Sequence, residues 1–283
     1  MSRRGWILFV LVSALWGLPY FFIRIAVREL DPVSVVLGRT LPAALLLLPI
    51  AWQRGVLGSL RGKIGGLLTY TVVEFGVPWY FMSSAERHIS SSLASLLICA
   101  TPLVAIVVSK ILHPEMIIEK RRIAGLALGS CGVIALVGLD VSTESAWWIA
   151  AMGIVVIGYA FGPQIISARL RDANGLAVVA TSVTLVALAY LPAGISRWPD
   201  HVSAKALWSV AALSALCTII AFLLFFELIK EIGPSRSTVV TYLNTAIAVI
   251  LGVVFLNEPI TAGIAVGFPV IVAGSVLATA RRR

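Results

Sequence analysis

The sequence predicts an all-α membrane protein, with ten transmembrane helices arranged as two inverted five-helix repeats. Three observations carry that expectation. The 283 residues are 59% hydrophobic and only 12% charged, whereas a soluble domain is roughly half apolar and a quarter charged. The apolar residues fall into ten runs, each near the ~20 residues that a spanning helix needs. The first five runs share spaced features with the last five. A membrane barrel would instead show segments of roughly ten residues with alternating polarity, and no stretch alternates in that way.

The first run, 6–27, follows Arg3 and Arg4. It exceeds the roughly 7–15 apolar residues of a signal peptide and no small-x-small cleavage site follows it, so it reads as a retained helix. It holds Trp16, Gly17, Pro19 and Tyr20. The second run, 32–52, contains Arg39, and the third, 64–85, contains Glu74, Trp79 and Tyr80. The fourth, 90–112, carries Thr101 and Pro102, and the fifth, 121–139, carries Gly125, Gly129 and Gly132. Runs six and seven are 147–168, with Tyr159, Phe161, Pro163 and Gln164, and 175–195, which is bland. The eighth, 204–229, has Thr218, and the ninth, 234–256, has Tyr242 and Asn244. The tenth, 260–280, has spaced glycines. No loop is long enough for a soluble domain.

Self-similarity divides the chain at 1–140 and 141–283. "ALWGLPYFFIR" (14–24) matches "YAFGPQIISAR" (159–169) at an offset of 145, pairing Trp16 with Phe161, Gly17 with Gly162 and Arg24 with Arg169, with Pro19 one residue out of register from Pro163. An offset of 143 pairs Thr101 with Asn244 and Glu115 with Glu258, and an offset of 142 pairs Gly125 and Gly132 with Gly267 and Gly274. Five spans per half is an odd number, so the second half enters from the opposite side. That is the inverted repeat of secondary transporters, whose substrate site lies near the midplane between the halves.

The net charge of +9 follows membrane topology and implies no nucleic-acid partner. Of the 22 Lys and Arg, Arg24, Arg28, Arg87, Arg197 and Lys205 fall on one side and Arg39 within the membrane, which leaves 16 on the side of the termini. The positive-inside rule then places both termini in the cytoplasm. Cys99, Cys131 and Cys217 lie singly within apolar runs, and His88, His113 and His201 share no ligand spacing, so neither a disulfide framework nor a metal site is expected. No cofactor is expected, and no G-x-x-x-x-G-K-[ST] motif occurs.

Depth marks the candidate site. Trp16, Glu74, Thr101, Tyr159, Thr218 and Asn244 lie at the centres of helices 1, 3, 4, 6, 8 and 9, and Tyr20, Trp79, Tyr80, Gln164 and Tyr242 lie slightly off centre. Phe161 is the repeat mate of Trp16. Pro19 and Pro163 each remove a backbone donor at mid-helix, and a freed carbonyl in lipid needs protein, water or a ligand to satisfy it. These fourteen residues are the candidate lining of a substrate cavity; an ordinary structural kink is the competing reading for the two prolines. Trp147, Trp148, Trp198 and Trp208 fit an interfacial belt. Glu74, the only deep carboxylate, marks a functional site by default. Protonation, pairing with an arginine, binding of a substrate ammonium and a neutral structural bond all remain open for it. Arg39 reads as a structural or gating pair more than as a binder. Gly125-x-x-x-Gly129 and Gly263-x-x-x-Gly267 permit close helix contact, read as packing within a monomer, with a dimer contact as the alternative.

"WGLPYFFIR", with a basic residue eight after the Trp, resembles the first-helix signature of the drug/metabolite transporter superfamily. "FLNEPITAGIAVGFPVIVAGSVLA" (255–278) resembles that superfamily's ending, and Arg39 stands where it often carries an arginine. The resemblance covers nearly the whole chain. It implies ten-helix, EamA-type exporters, with helices 1, 3, 4, 6, 8 and 9 around the cavity and 5 and 10 at the periphery. The chain departs from the pattern in the ninth helix, where Asn244-Thr245 replaces a frequent proline. The expected function is export of small organic metabolites across a bacterial inner membrane by alternating access. Among the relatives so implied, the aromatic-rich cavity looks most like that of exporters of amino acids, aromatic ones included. An exporter of drugs or cationic compounds is the alternative within the superfamily, and an intramembrane enzyme the alternative outside it. The expected partners are a small-molecule substrate and the lipid bilayer.

Overall fold

Ten helical rods account for most of the chain in a computed structural model, which describes residues 2–112, 114–115, 119–140, 146–232 and 240–279. His113, Arg236 and residues 281–283 lie outside the described residues, as does the side chain of Lys230. The rods are α1 (Arg3–Ala26), α2 (Pro32–Gln53), α3 (64–85), α4 (Ser91–Leu112), α5 (Lys120–Asp140), α6 (Ala146–Arg169), α7 (Gly175–Ser196), α8 (204–232), α9 (Val240–Leu256) and α10 (Ala262–Thr279). There is no strand among the described residues. Six rods, α1, α2, α4, α6, α7 and α8, are long and apolar enough to cross a membrane.

Polar residues at the ends of the apolar runs start the helices. Ser2 accepts from the Gly5 N–H, Asp31 from Val33 ahead of Pro32, Ser90 from Leu93, Asn174 from Leu176 and Ser203 from Ala206. Each cap satisfies one of the orphan N–H groups at a helix start. The prediction of continuous helices fails at three places. In α3 the segment Thr71–Gly76 is π-helical, and in α8 Leu213–Ile220 is as well. In α3 the cause is Pro78, which lacks an N–H and crowds the carbonyl four residues earlier. The α7 helix supports that segment: Tyr190 Oη donates to the Gly76 carbonyl at 3.0 Å, and Thr71 Oγ1 donates to Ser182 Oγ at 2.8 Å. In α8 the Thr218 hydroxyl donates to the Leu213 carbonyl five residues back at 3.0 Å. The α4 rod breaks into a turn at Cys99-Ala100, just before Pro102, whereas α9 runs through Asn244-Thr245 without a break.

Two ends of the bundle are defined by contacts between loops. At the near end, with the N-terminus, Arg4 pairs with Glu227 at 3.0 Å and Ser59 Oγ accepts from the Asn174 N–H at 3.0 Å. At the far end Asp31 faces Arg87 and Arg197, and Arg24 donates to the Glu86 carbonyl. Glu29 takes two hydrogen bonds from Ser203, which hold its carboxyl below the usual carboxylate range. Neighbouring rods are α1 with α8 and α9, α6 with α3 and α4, α2 with α7 and α8, α3 with α7, and α5 with α10. The α5–α10 pair is closest. A Cβ on Gly274 would overlap the backbone of Gly129, and one on Gly132 would sit 2.7 Å from the Ile271 nitrogen. Gly125, Gly129 and Gly267 therefore make contacts within the chain.

Candidate functional site: a central cavity with a carboxyl and a guanidinium

A cavity of about 200 Å³ lies among α1, α2, α3, α4, α6, α8 and α9. It runs from the level of Arg39, two turns into α2 from the far end, to Ile166 and Val240 toward the near end. Eight aromatic side chains stand in its wall. The Trp16 ring lies 4.5 Å from that of Phe225 and 5.4 Å from that of Phe222. Phe222 also meets Phe75, which is edge-on to Trp79 at 4.9 Å. Phe222, Phe225 and Phe226 recur at three and four residues along α8, so their rings share one face.

Two ionisable side chains, one acidic and one basic, stand in this wall without ion-pair partners among the described residues. Arg39, only 4% exposed, stacks over the Trp79 ring at 3.6 Å and donates from Nε to Thr218 Oγ1 at 2.8 Å. No carboxylate lies within ion-pair distance of it among the described residues. A desolvated cation–π contact is worth about 2 kcal/mol, which holds the guanidinium in place without neutralising it. Glu74 lines the same cavity, and its Oε2 is buried with no hydrogen-bond partner. That oxygen occupies a notch at Gly162, where any Cβ would overlap it. Tyr159 lines the same cavity. The cavity therefore offers one carboxyl group, one guanidinium and a set of aromatic rings between helices. Among the described residues no group of His, Cys, Asp and Glu is placed to hold a metal ion.

The sequence profile described as the EamA-like transporter family matches residues 3–138 and again residues 146–280. The chain belongs to this family. Among its similar relatives, the uncharacterized inner membrane transporter YedA of Escherichia coli strain K12 is 27% identical over 244 residues, covering 84% of this chain and 78% of that protein. Protein PagO of Salmonella typhimurium is 28% identical, covering 87% and 83%. A probable terminal-alkyne amino-acid exporter of Streptantibioticus cattleyicolor is 25% identical, covering 91% and 87%. A solved crystal structure aligns at a TM-score of 0.70 over 98% of both chains with 18% identity, and so shares the fold. The protein is an EamA-family membrane transporter, not an enzyme, and the superfamily to which the first-helix and last-helix signatures point is the one that matches.

Nine of the fourteen candidate residues line the transporter's central cavity: Trp16, Pro19, Tyr20, Glu74, Trp79, Thr101, Tyr159, Pro163 and Asn244. The other five stand elsewhere. Phe161 and Gln164 line a separate groove on the outer face of α6. Tyr80 packs against Phe81 and, across to α7, Tyr190. Thr218 is buried behind Arg39, and Tyr242 is partly buried against the core. Depth reasoning left out Arg39, Tyr70 and the α8 phenylalanines, all of which line the cavity. The spacing of Phe222, Phe225 and Phe226 was the available signal for the last group, and the four-residue step from Tyr70 to Glu74 for Tyr70.

Proposed function

We propose that this EamA-family transporter exports small organic metabolites, chiefly amino acids including aromatic ones, by alternating access around the central cavity. The carrying observation is the pairing of an unpartnered carboxylate, Glu74, and an uncompensated guanidinium, Arg39, in one aromatic-walled cavity. Each buried charge costs several kcal/mol unless it is compensated. A zwitterion offers a complement to each, an ammonium for Glu74 and a carboxylate for Arg39, and a side chain for the rings of Trp16, Phe222 and Phe225. A sugar phosphate would leave Glu74 facing a like charge. A cationic compound, the second reading, would satisfy Glu74 and leave Arg39 uncompensated.

The proposal includes ten membrane spans in two inverted halves, 1–140 and 141–283, with both termini in the cytoplasm of a bacterial inner membrane. Most of the neighbour pattern supports it, with α1–α4 and α4–α10 as contacts that lack a comparable counterpart among the described residues. Exchanging each helix with the one five places on turns α1–α8 and α1–α9 into α6–α3 and α6–α4, and α2–α8 into α7–α3, while α2–α7 and α5–α10 map onto themselves. The double match of the family profile has the same period.

The test is flux of labelled amino acids, organic cations and sugar phosphates in proteoliposomes, with Glu74→Gln and Arg39→Gln measured beside the native protein. Amino acids should move, and each variant should weaken their apparent affinity about tenfold, or about 1.4 kcal/mol. Transport of cations that is insensitive to Arg39→Gln would select the second reading. No flux of any amino acid would sink the first.

A further inference from the structure

A second concavity lies on the opposite face of the α3–α6 wall from the central cavity. It encloses about 560 Å³. Its floor is the seam where Gly158 lets α6 approach α3: a Cβ there would sit 2.5 Å from the Val73 carbonyl oxygen and 3.0 Å from Pro78 Cγ. Its flanks are apolar and outward-facing. Val72 is 53% exposed, Ile157 50% and Leu112 47%, so the groove opens sideways, toward the hydrocarbon in a membrane-spanning bundle. From Ile154 to Arg169 it follows α6 for about 22 Å, at about 1.5 Å per residue. That exceeds half of the ~30 Å apolar thickness of a bilayer, the depth that one acyl chain of a leaflet occupies.

The polar groups of the groove are arranged at one end. Gln164 is engaged, donating from Nε2 to Ser109 Oγ at 2.8 Å, and Thr69 Oγ1 donates to the Gly65 carbonyl at 2.8 Å. Arg169, at the near-end mouth, is exposed and has no ion pair or hydrogen bond among the described residues. The stem of Arg169 lies against Gly66, where a Cβ would sit 2.8 Å from its own Cβ. The acid three residues on, Asp172, faces Lys63 instead at 3.9 Å. A long apolar trough ending in one unpaired guanidinium at interface height is complementary to a chain with an anionic head.

We propose that this groove binds one anionic glycerophospholipid of the near-end leaflet, with an acyl chain between α3 and α6 and the phosphate on Arg169. The lipid contacts the outer side of the wall whose inner side carries Glu74. The site is separate from the central cavity and does not depend on which substrate that cavity takes.

The experiment is native mass spectrometry of the full-length protein released from nanodiscs of phosphatidylcholine containing a minor fraction of phosphatidylglycerol. One phosphatidylglycerol should remain bound, enriched at least tenfold over its share of the bilayer. Arg169→Gln, an exposed substitution that leaves the core untouched, should abolish the enrichment, and Arg169→Lys should keep part of it. Ala168→Trp, which fills the trough, should remove the adduct although the guanidinium remains; a thermal melt in the same nanodiscs reports whether that variant is folded. Equal retention of the two lipids by the native protein, or undiminished phosphatidylglycerol in Arg169→Gln, overturns the proposal. So does a dimer that loses its partner on Ala168→Trp, since the groove would then be covered by a second copy of the chain.

Discussion

Gly162 and Glu74 make one device from two helices. The carboxyl oxygen sits where a methyl group would otherwise be, so the glycine is required by the side chain opposite and not by its own backbone. Gly162→Ala must push Glu74 away from its notch. Amino-acid affinity should fall by about the same tenfold as in Glu74→Gln. In a Glu74→Ala background the glycine change should then cost little, because the atom it displaces is gone. A double-mutant cycle of binding affinities reads this directly, with a coupling energy in the range of about 0.5–3 kcal/mol for residues in contact; additive effects would show that the notch is incidental. Depth made half of this pair visible, since a carboxylate in the middle of an apolar run stands out in any sequence. Direction around the helix was not visible in the same way. Tyr159, Pro163 and Ile166 step by four and three residues and line the cavity, while Phe161 and Gln164, at the same height on α6, face the lipid-side groove. Polarity and size say how deep a side chain lies. Only packing against α3 and α4 says which way it points.

The α1 and α6 helices each carry a proline that lines the cavity, and each therefore has a weak point in its hydrogen-bond ladder at cavity height. Replacing Pro19 or Pro163 with Ala should slow amino-acid efflux several-fold while the protein remains in the membrane at native levels, as judged by initial rates normalised to membrane abundance. Native rates in the double variant would reduce both prolines to structural kinks. The long elements were legible because each needs only length and apolarity. Their internal irregularities were not. A π-turn admits one more residue without changing composition, so "TVVEFG" and "LSALCTII" read as ordinary helix. Pro78 was a visible cue for the first. The second has no proline, and its cue, a threonine bonded five residues back, exists only in three dimensions. The break of α4 ahead of Pro102 and the continuity of α9 agree with a proline that is present in the first half and missing from the matching helix of the second.

For the whole molecule, the excess of basic residues at the near end makes a topological prediction. In a Cys131→Ala background, Arg61→Cys at the near end and His201→Cys at the far end should react with a membrane-impermeant maleimide from opposite sides, His201→Cys from outside in intact cells. Labelling of both from the same side would overturn the inverted arrangement. The far end also contains a densely hydrogen-bonded corner. Glu258 accepts from the backbone N–H and the hydroxyl of both Ser91 and Ser92, at 2.6–3.0 Å, and Gly252 leaves room for all three side chains. One carboxylate thus ties the start of α4 to the α9–α10 corner through four charge-assisted bonds. Across the same end, Asp31 meets Arg87 and Arg197 only at 3.9 and 3.6 Å, with solvent competing for the arginines. Treated as a linkage, this end has a four-bond joint at Glu258 on one side and, on the other, the two Glu29–Ser203 bonds beside the longer Asp31 pairs. A mouth that opens here between residues 28–32 and 197–203 must release Glu29 from Ser203 and Asp31 from Arg197, with the Glu258 corner acting as the pivot.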